Sequence, residues 1–294
     1  MKMIIIIAVI LFIIVAIVLG IYHDTHSFVV REYNVDSDKV NRDITFVLIS
    51  DLHGYVFGKD NDTLIKKITE IKPDYILCAG DMFTARRING KIHTEAGLHV
   101  LKELSKFPVF ISNGNHEEKI KSFTSEFGNF FGRYKDSLVR LGIHYLENES
   151  MDIPKDNIRI SGLELPLSYF QKVVKLKMES GTIEKRLGTI GKKESEKFQI
   201  LIAHNPQYFP EYAAWGADLT VSGHVHGGII RLPLLGGVIS PAIALFPKYD
   251  GGKYEQAGKT MILSRGLGTH TIHVRLNNPG EISVIKVRSK KNVS

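Results

Sequence analysis

Five short segments of this sequence carry side chains that commonly bind metal ions in proteins. The segments are SDLHG (50–54), AGD (79–81), NGNHE (113–117), AHN (203–205) and SGHVHGG (222–228). The predicted metal ligands within them are Asp51, His53, Asp81, Asn115, His204, His224 and His226. Imidazole and carboxylate ligands suit manganese, iron or zinc. The set is large enough for two divalent cations held close together, and it predicts a hydrolase.

Each segment ends a short apolar run that is rich in β-branched residues, which is typical of a buried strand. The runs are ITFVLIS, YILCAG, PVFISNG, FQILIA and DLTVSG. Ligands of open α/β sheets bind at the carboxyl ends of strands. Glycines beside the ligands would let the backbone turn sharply into a site; they are Gly54, Gly80, Gly114 and Gly223. We therefore expect five strand ends to meet at one rim, the alternative being an ordinary α/β domain with scattered polar strand ends.

The residue types also indicate a chemistry. Two cations about 3.5–4 Å apart can clamp a phosphoryl group and activate a bound water. Asp81 has two carboxylate oxygens and is the candidate to bridge both ions, and Asn115 would add a neutral oxygen. His116 follows directly and is expected to face the substrate, where it would protonate the leaving oxygen or neutralise phosphate charge.

At these residues the chain resembles the calcineurin-like metallophosphoesterases. Their pattern of D-x-H, G-D, G-N-H, H and G-H-x-H is matched within roughly residues 43 to 287. The resemblance implies that one metal is held by Asp51, His53, Asp81 and His226. It implies that the second metal is held by Asp81, Asn115, His204 and His224. It further implies that His116 is an acid that binds no metal, and that the fold is a four-layer αββα sandwich of two mixed sheets.

Segments 226–242, 246–254 and 264–285 resemble a membrane-associated bacterial branch of the family. That branch includes cell-envelope phosphoesterases and relatives of UDP-2,3-diacylglucosamine pyrophosphohydrolase. The resemblance suggests that Arg265 and Gly266 line the substrate pocket, with Arg265 binding substrate. The alternative is that this glycine-rich turn is only architectural.

Two positions depart from the pattern of the relatives. Thr84 stands where many relatives carry an Asp that can orient the catalytic histidine, so the sequence leaves open what orients His116. Ile229 stands where the narrower branch often has Gln, which puts a polar contact to substrate in doubt.

The N-terminal segment predicts a membrane anchor. Residues 3–22 contain no charged side chain, and twenty helical residues span about 30 Å, the thickness of a bilayer core. No small-x-small cleavage site follows, which favours an uncleaved anchor over a signal peptide. Lys2 precedes the span, and the positive-inside rule then puts the catalytic domain outside the cytoplasm. The predicted division is a transmembrane signal-anchor (1–23), a tether and first strand (24–42), and a metallophosphoesterase domain (43–294).

Composition sets further bounds. The chain has 294 residues and a formal net charge of +7, which favours anionic substrates. Basic charge alone does not predict nucleic-acid binding, and we find no motif for it. Cys78 is the single cysteine; it excludes an intrachain disulfide and is expected to be a buried strand residue rather than a nucleophile.

Helices are predicted over 60–72, over 94–105 and within 117–141, and a strand over 159–165. Glu164 could support the ligands from behind, or it could be a solvated turn residue. The Lys-rich segment 168–197 could be a basic lobe that approaches anionic headgroups, or a solvated helix or loop. The apolar segment LPLLGGVISPAIALF could contact lipid, or form a hairpin and part of the core.

The expected function is that of a membrane-anchored, dinuclear metal-dependent phosphohydrolase. A hydroxide on the metals would attack phosphorus, and His116 would assist the leaving group. Resemblance to the narrower branch favours a phosphodiester or pyrophosphate over a simple monoester, and a lipid-linked or cell-wall ester would suit the anchor. The alternatives are a non-catalytic binding or interaction module on the same fold, and a hydrolase of a non-phosphate ester.

Overall fold

The strands form two six-stranded mixed sheets in the computed structural model, which describes residues 1–171, 176–232, 235–238, 245–269 and 273–292. In chain order the strands are β1 Phe28–Ser37, β2 Ile44–Ile49, β3 Tyr75–Cys78, β4 Val109–Ile111, β5 His144–Tyr145, β6 Glu149–Ile153, β7 Ile158–Leu163, β8 Phe198–Ala203, β9 Leu219–Ser222, β10 Arg231–Leu232, β11 Gly236–Gly237, β12 Gly252–Gln256, β13 Lys259–Leu263 and β14 Gly280–Ser289. The helices are α1 Lys2–His26, α2 Asp62–Ile71, α3 Glu95–Leu104, α4 Asn115–Ser122, α5 Thr124–Phe127, α6 Phe130–Val139, α7 Thr182–Leu187, α8 Lys192–Ser195 and α9 Phe209–Trp215.

The first sheet has the order β1-β14-β2-β3-β4-β5, and its strands β2 to β5 run parallel. The second sheet has the order β12-β13-β9-β8-β7-β6, and its strands β7, β8, β9 and β13 run parallel. Strands β2, β3, β4, β8 and β9 are the five strands predicted to precede the ligand segments, and all five are present. Their carboxyl ends place the predicted ligands at one edge of the sandwich.

Successive side chains of a strand point to opposite faces of its sheet, which explains the four layers of the fold. On β2, Phe46 and Leu48 face the second sheet, while Val47 and Ile49 face the helices. Side chains of α2, α3, α4 and α6 cover the outer face of the first sheet, and α7 and α9 cover the second. The predicted αββα sandwich of two mixed sheets is therefore confirmed. Cys78 is fully buried in β3, and burial raises the pKa of its thiol, which suits a core residue.

The predicted elements agree with the observed ones except in two places. Segment 60–72 forms α2 and segment 94–105 forms α3, while segment 117–141 holds three helices instead of one. The predicted strand over 159–165 ends at Leu163, and Glu164 beyond it is buried. Segment 168–197 contains the short helices α7 and α8, and its residues 172–175 lie outside the described residues. In the apolar segment, β10 and β11 pair as an antiparallel hairpin, and residues 233–234 and 239–244 lie outside the described residues.

Helix α1 is long and apolar enough to cross a membrane; a signal sequence would have the same properties. The helix continues to His26, three residues past the predicted boundary at residue 23. Asp24 and Thr25 are buried against the domain. Asn278 N donates to Asp24 Oδ2 at 3.0 Å, and Arg275 N donates to Thr25 Oγ1 at 3.3 Å.

These contacts predict different outcomes for two truncations. Removal of residues 1–23 is expected to leave a folded, active domain, whereas removal of residues 1–26 should also lower its stability. The second truncation removes the acceptors for two buried N–H groups, each worth about 1–3 kcal/mol. Thermal unfolding of the two proteins checks this, and equal midpoints would contradict it.

Candidate metal centre

The predicted ligands meet at the carboxyl edge of both sheets. The carboxylate and imidazole atoms of six predicted ligands, together with those of His116, form three overlapping groups, with all atoms of a group within 4.8 Å of one another. The groups are Asp51, His53 and His226; His53, Asp81 and His116; and Asp81, His204 and His224. Five strands that are distant in sequence thus deliver their polar ends to a single site.

The first group is centred on Asp51. Its Oδ1 atom lies 3.3 Å from His226 Nε2 and 3.9 Å from His53 Nε2. The two Nε2 atoms of His53 and His226 are 3.1 Å apart. Three ligand atoms thus surround a volume suited to one cation.

Asp81 lies between the two ends of the site. Its Oδ2 atom is 3.2 Å from His204 Nε2 and 3.8 Å from His53 Nε2, and its Oδ1 atom accepts a hydrogen bond from His116 N. Asp51 Oδ1 is also 3.8 Å from His204 Nε2, so the groups are contiguous.

The donor set fits divalent cations. Two imidazoles contact carbonyl oxygens through Nδ1, His204 with Ala79 O and His226 with Gly268 O. This arrangement fixes the tautomer whose Nε2 lone pair points into the site, as metal-binding histidines require. The Oδ1 atom of Asn115 is buried and has no hydrogen-bond partner among the residues that the structure describes. A cation would supply that partner.

Burial and mutual repulsion perturb the carboxylates. Burial raises the pKa of Asp51 to about 6, with His204 opposing and Asp81 adding to the shift. Burial lowers the pKa of His204, but the carboxylates of Asp81 and Asp51 outweigh it and raise that pKa to about 10. Asp51 and Asp81 are both buried, and both lie within 4 Å of His204 Nε2. Their combined negative charge favours a positive charge, such as a cation, between them.

The backbone of the site is strained. Five predicted ligands adopt left-handed conformations: Asp51 (φ 52°), His53 (φ 50°), Asp81 (φ 55°), His224 (φ 76°) and His226 (φ 54°). Such conformations cost of order 1–3 kcal/mol each and cluster at functional sites. The surrounding packing holds the backbone of these residues in the left-handed conformation, which directs their side chains into the site.

His116 is the second residue of α4 and is buried beside His53, with their ring centroids 5.0 Å apart. Ala85 N donates to its Nδ1 at 2.8 Å, so the neutral ring carries its proton on Nε2. Burial lowers the pKa of His116, which favours this neutral form. Thr84 Oγ1 instead contacts His53 Nδ1 at 3.3 Å. The backbone of Ala85 therefore orients His116, and Thr84 supports a predicted ligand.

Glu117 is a buried residue beside the predicted ligands, and its role was not predicted from the sequence. Its buried carboxylate accepts hydrogen bonds from Asp81 N at 2.8 Å, Met82 N at 3.0 Å and Gly114 N at 3.0 Å. It thereby ties the loop after β3 to the start of α4. The bond to the residue before the helix follows the capping-box pattern, which is the signal in NGNHE that could have revealed it.

Glu117→Ala is expected to lower both stability and metal content. The substitution leaves three buried N–H groups without their acceptor, at a cost of about 3 kcal/mol or more. That corresponds to a Tm lower by roughly 6–12 °C. Thermal unfolding and metal analysis check this, with the exposed Glu103→Ala as the matched control. An unchanged Tm would show that Glu117 does not hold the loops.

Arg265 lies behind the ligands, where its Nε is 3.5 Å from Oε2 of the fully buried Glu281. Next to it, a Cβ placed on Gly266 would lie 2.8 Å from Asp51 Cβ. Gly266 also has a positive φ of 68°. The turn thus has an architectural role against Asp51, and contact between Arg265 and substrate stays a prediction.

Arg275 and Asn278 brace the same region, and neither was identified from sequence. The Arg275 guanidinium donates to the carbonyl oxygens of Arg265, Gly266, Gly268 and Asn278. Asn278 Nδ2 donates to the carbonyl oxygens of His226 and Gly228. Since each acts on backbone oxygens, no local sequence pattern marks these residues.

Glu164 is buried, so its interpretation as a solvated turn residue is wrong. It accepts hydrogen bonds from Asn113 Nδ2 at 2.7 Å and Lys121 Nζ at 2.8 Å. Asn113 precedes Asn115 by two residues, and Glu164 thereby steadies the loop that carries a predicted ligand.

Comparison with known proteins agrees with this geometry. Residues 44–228 match the sequence model of the family described as calcineurin-like phosphoesterase. A metallophosphoesterase of Aquifex aeolicus is 26% identical over 95% of this chain and 99% of its own length. The phosphodiesterase YaeI of Escherichia coli is 25% identical over 74% of this chain and 72% of its own.

Among solved structures, a dimetal phosphatase of Danio rerio is 14% identical with a TM-score of 0.42. The match covers 77% of this chain and 88% of that one. The family match itself spans well over half of the 294 residues. This chain therefore belongs to the calcineurin-like phosphoesterase family.

Proposed function

We propose that this metal-dependent phosphoesterase is a membrane-anchored phosphohydrolase that uses two divalent cations to cleave a phosphodiester or a pyrophosphate. The observation that carries the proposal is the position of Asp81 between the two ends of the ligand cluster, within 4 Å of both His53 and His204. That position suits one carboxylate shared by two ions.

We assign the ligands as the sequence suggested. Asp51, His53, Asp81 and His226 would hold one ion, and Asp81, Asn115, His204 and His224 the other, with manganese, iron or zinc as candidates. When bound, such ions supply a water activated at neutral pH and positive charge against phosphoryl oxygens.

The chain's own residues supply the remaining chemistry. The N–H of Ala85 occupies His116 Nδ1 and keeps the proton on Nε2, where it can donate a hydrogen bond to a leaving oxygen as negative charge develops on that oxygen. Phe170 lies beside the ligands, its ring centroid 5.2 Å from that of His224 and 6.0 Å from that of His204. It gives the site an apolar wall against which a non-polar part of a substrate can pack.

Several finer features belong to the same proposal. The name of the Escherichia coli relative supports a diester substrate. Helix α1 supports anchoring through residues 3–22. The position of Lys2 before this stretch, with the positive-inside rule, supports a catalytic domain from residue 43 that lies outside the cytoplasm. An anchored site suits a lipid-linked or cell-envelope ester. Arg265 is the candidate to contact the substrate, and relatedness to the UDP-2,3-diacylglucosamine branch rests on the segments after His226.

The test is to purify the full chain in detergent, measure its metal content by mass spectrometry, and assay aryl phosphodiester, phosphomonoester and carboxylate ester with Mn²⁺. About two metals per chain with preferential diester cleavage is the expected result. Bound metal with no cleavage of any ester would favour the non-catalytic binding module. Cleavage of the carboxylate ester alone would favour a non-phosphate hydrolase.

A further inference from the structure

The hairpin β10–β11 and the residues beside it expose large apolar side chains. Leu232 is 42% exposed, Leu235 63%, Leu245 66% and Phe246 58%. We call these four residues the hairpin patch. Large apolar side chains grouped on a surface mark an interaction site, and the hairpin patch is not used by the chemistry proposed above.

Backbone hydrogen bonds join the hairpin patch to the segment that packs on α1. Arg231 N donates to Leu276 O at 3.0 Å, Val238 N to Ile230 O at 2.9 Å, and Phe246 N to Val238 O at 2.9 Å. Leu276 in turn touches the helix, since a Cβ placed on Gly20 would lie 3.3 Å from Leu276 Cδ1. The hairpin is therefore fixed beside the end of α1.

The contact with Gly20 sets the depth of the hairpin. Gly20 lies inside the uncharged stretch 3–22, about 3 Å along the axis from its end. If that stretch fills the bilayer core, Leu276 and the strands paired with it lie at the boundary between hydrocarbon and headgroups. Lys248 is exposed two residues after Phe246, as suits contact with anionic headgroups.

The metal ligands lie at the same end of the molecule. Strand β1 begins at Phe28 beside Gly280, next to the carboxyl end of β2. Tyr55, two residues after His53, has its ring centroid 6.2 Å from that of His26 in α1. Anchor, hairpin patch and ligand-bearing loops thus share one edge of the sandwich.

We infer that the hairpin patch inserts into the bilayer that α1 crosses, as a second membrane contact that holds the catalytic edge against lipid headgroups. The inference rests on the anchoring part of the proposed function. A bilayer is the occupant because the hairpin patch lies beside α1, the helix that is long and apolar enough to cross a membrane. The arrangement selects substrates whose phosphate lies at the membrane surface.

The experiment uses the full chain in liposomes with a fluorescent label at Leu235→Cys and a quencher attached to lipid chains. The matched control is a label at Val139→Cys, an exposed aliphatic position at the end of α6 that leads into the amino end of β5. Cys78 is fully buried and stays unlabelled. Both substitutions are at exposed positions and leave the core intact.

We expect both labelled proteins to float with the liposomes and only the label at residue 235 to lose fluorescence. Failure to float would refute the anchor and this inference with it. Flotation with equal or no quenching at the two positions would overturn the second contact while the anchor stands. Fluorescence at residue 235 that changes with the number of protein molecules per liposome, and does not respond to the lipid quencher, would indicate contact with a second copy of the chain. That result would also overturn the second membrane contact.

Discussion

Asp81→Ala is expected to remove at least one metal ion from the protein and to abolish phosphodiester cleavage. The Asp81 carboxylate contacts ligand atoms of both ends of the site, His53 Nε2 and His204 Nε2. Asp51 Oδ1 lies 3.9 Å from His53 Nε2 and 3.8 Å from His204 Nε2, so Asp81, at 3.2 Å, is the nearer of the two carboxylates to His204. Loss of the shared carboxylate therefore weakens both coordination shells together.

The measurement is metal content by mass spectrometry of wild type, Asp81→Ala and Asp81→Asn. Asparagine keeps the shape and the acceptor for His116 N while it removes the charge, so it separates loss of charge from loss of packing. Asp136→Ala, at an exposed position on α6, is the matched control. We expect a loss of affinity beyond the 10–100-fold that is typical of residues that only support a ligand. Unchanged metal stoichiometry in both Asp81 variants would rule out the bridge.

The ligands could be predicted because their signal is local. A carboxylate or imidazole that directly follows a buried β-branched run has to sit at a strand end, and parallel strands bring their carboxyl ends together. Asp51 after β2 and His204 after β8 are examples. The helix α2 was equally clear, since its apolar face and Pro73 mark its extent.

The residues that the sequence did not reveal act over long distances on the backbone. Arg275 and Asn278 bind carbonyl oxygens of loops near residues 226 and 266, and a lone Arg or Asn carries no mark of such partners. The sequence could not decide between the two interpretations of Glu164, because its partners, Asn113 and Lys121, come from other elements.

The ends of two helices, α5 and α1, were also not predicted from the sequence. Segment 117–141 is divided at Gly128, which has a positive φ of 57° and ends the four-residue helix α5. At the N-terminus, the end of α1 is decided by the burial of Asp24 against a turn about 250 residues away. Apolar length alone predicts where a membrane span ends, and says nothing of how far the helix continues.

His116→Ala is expected to lower turnover by about 10²–10⁴-fold while the metal content stays as in wild type. The Nδ1 atom of His116 is occupied by the N–H of Ala85, so Nε2 alone can serve the reaction. A nitrogen of the His116 ring also lies within 4.8 Å of ligand atoms of His53 and Asp81, which makes metal binding the competing role. Metal analysis of the variant decides between them, because loss of an ion would make His116 a ligand. His93→Ala, at an exposed position, is the matched control.

A second readout tests what the proton on Nε2 does. If His116 Nε2 donates its hydrogen bond to the leaving oxygen, its loss matters most for a poor leaving group such as an alkoxide. The same substitution should matter much less for nitrophenolate, which departs without a proton. We therefore expect the ratio of wild-type to variant kcat to be far larger for an alkyl phosphodiester than for a nitrophenyl one. Equal ratios for the two substrates would show that His116 donates to a phosphoryl oxygen and not to the leaving oxygen, since that role is indifferent to the leaving group.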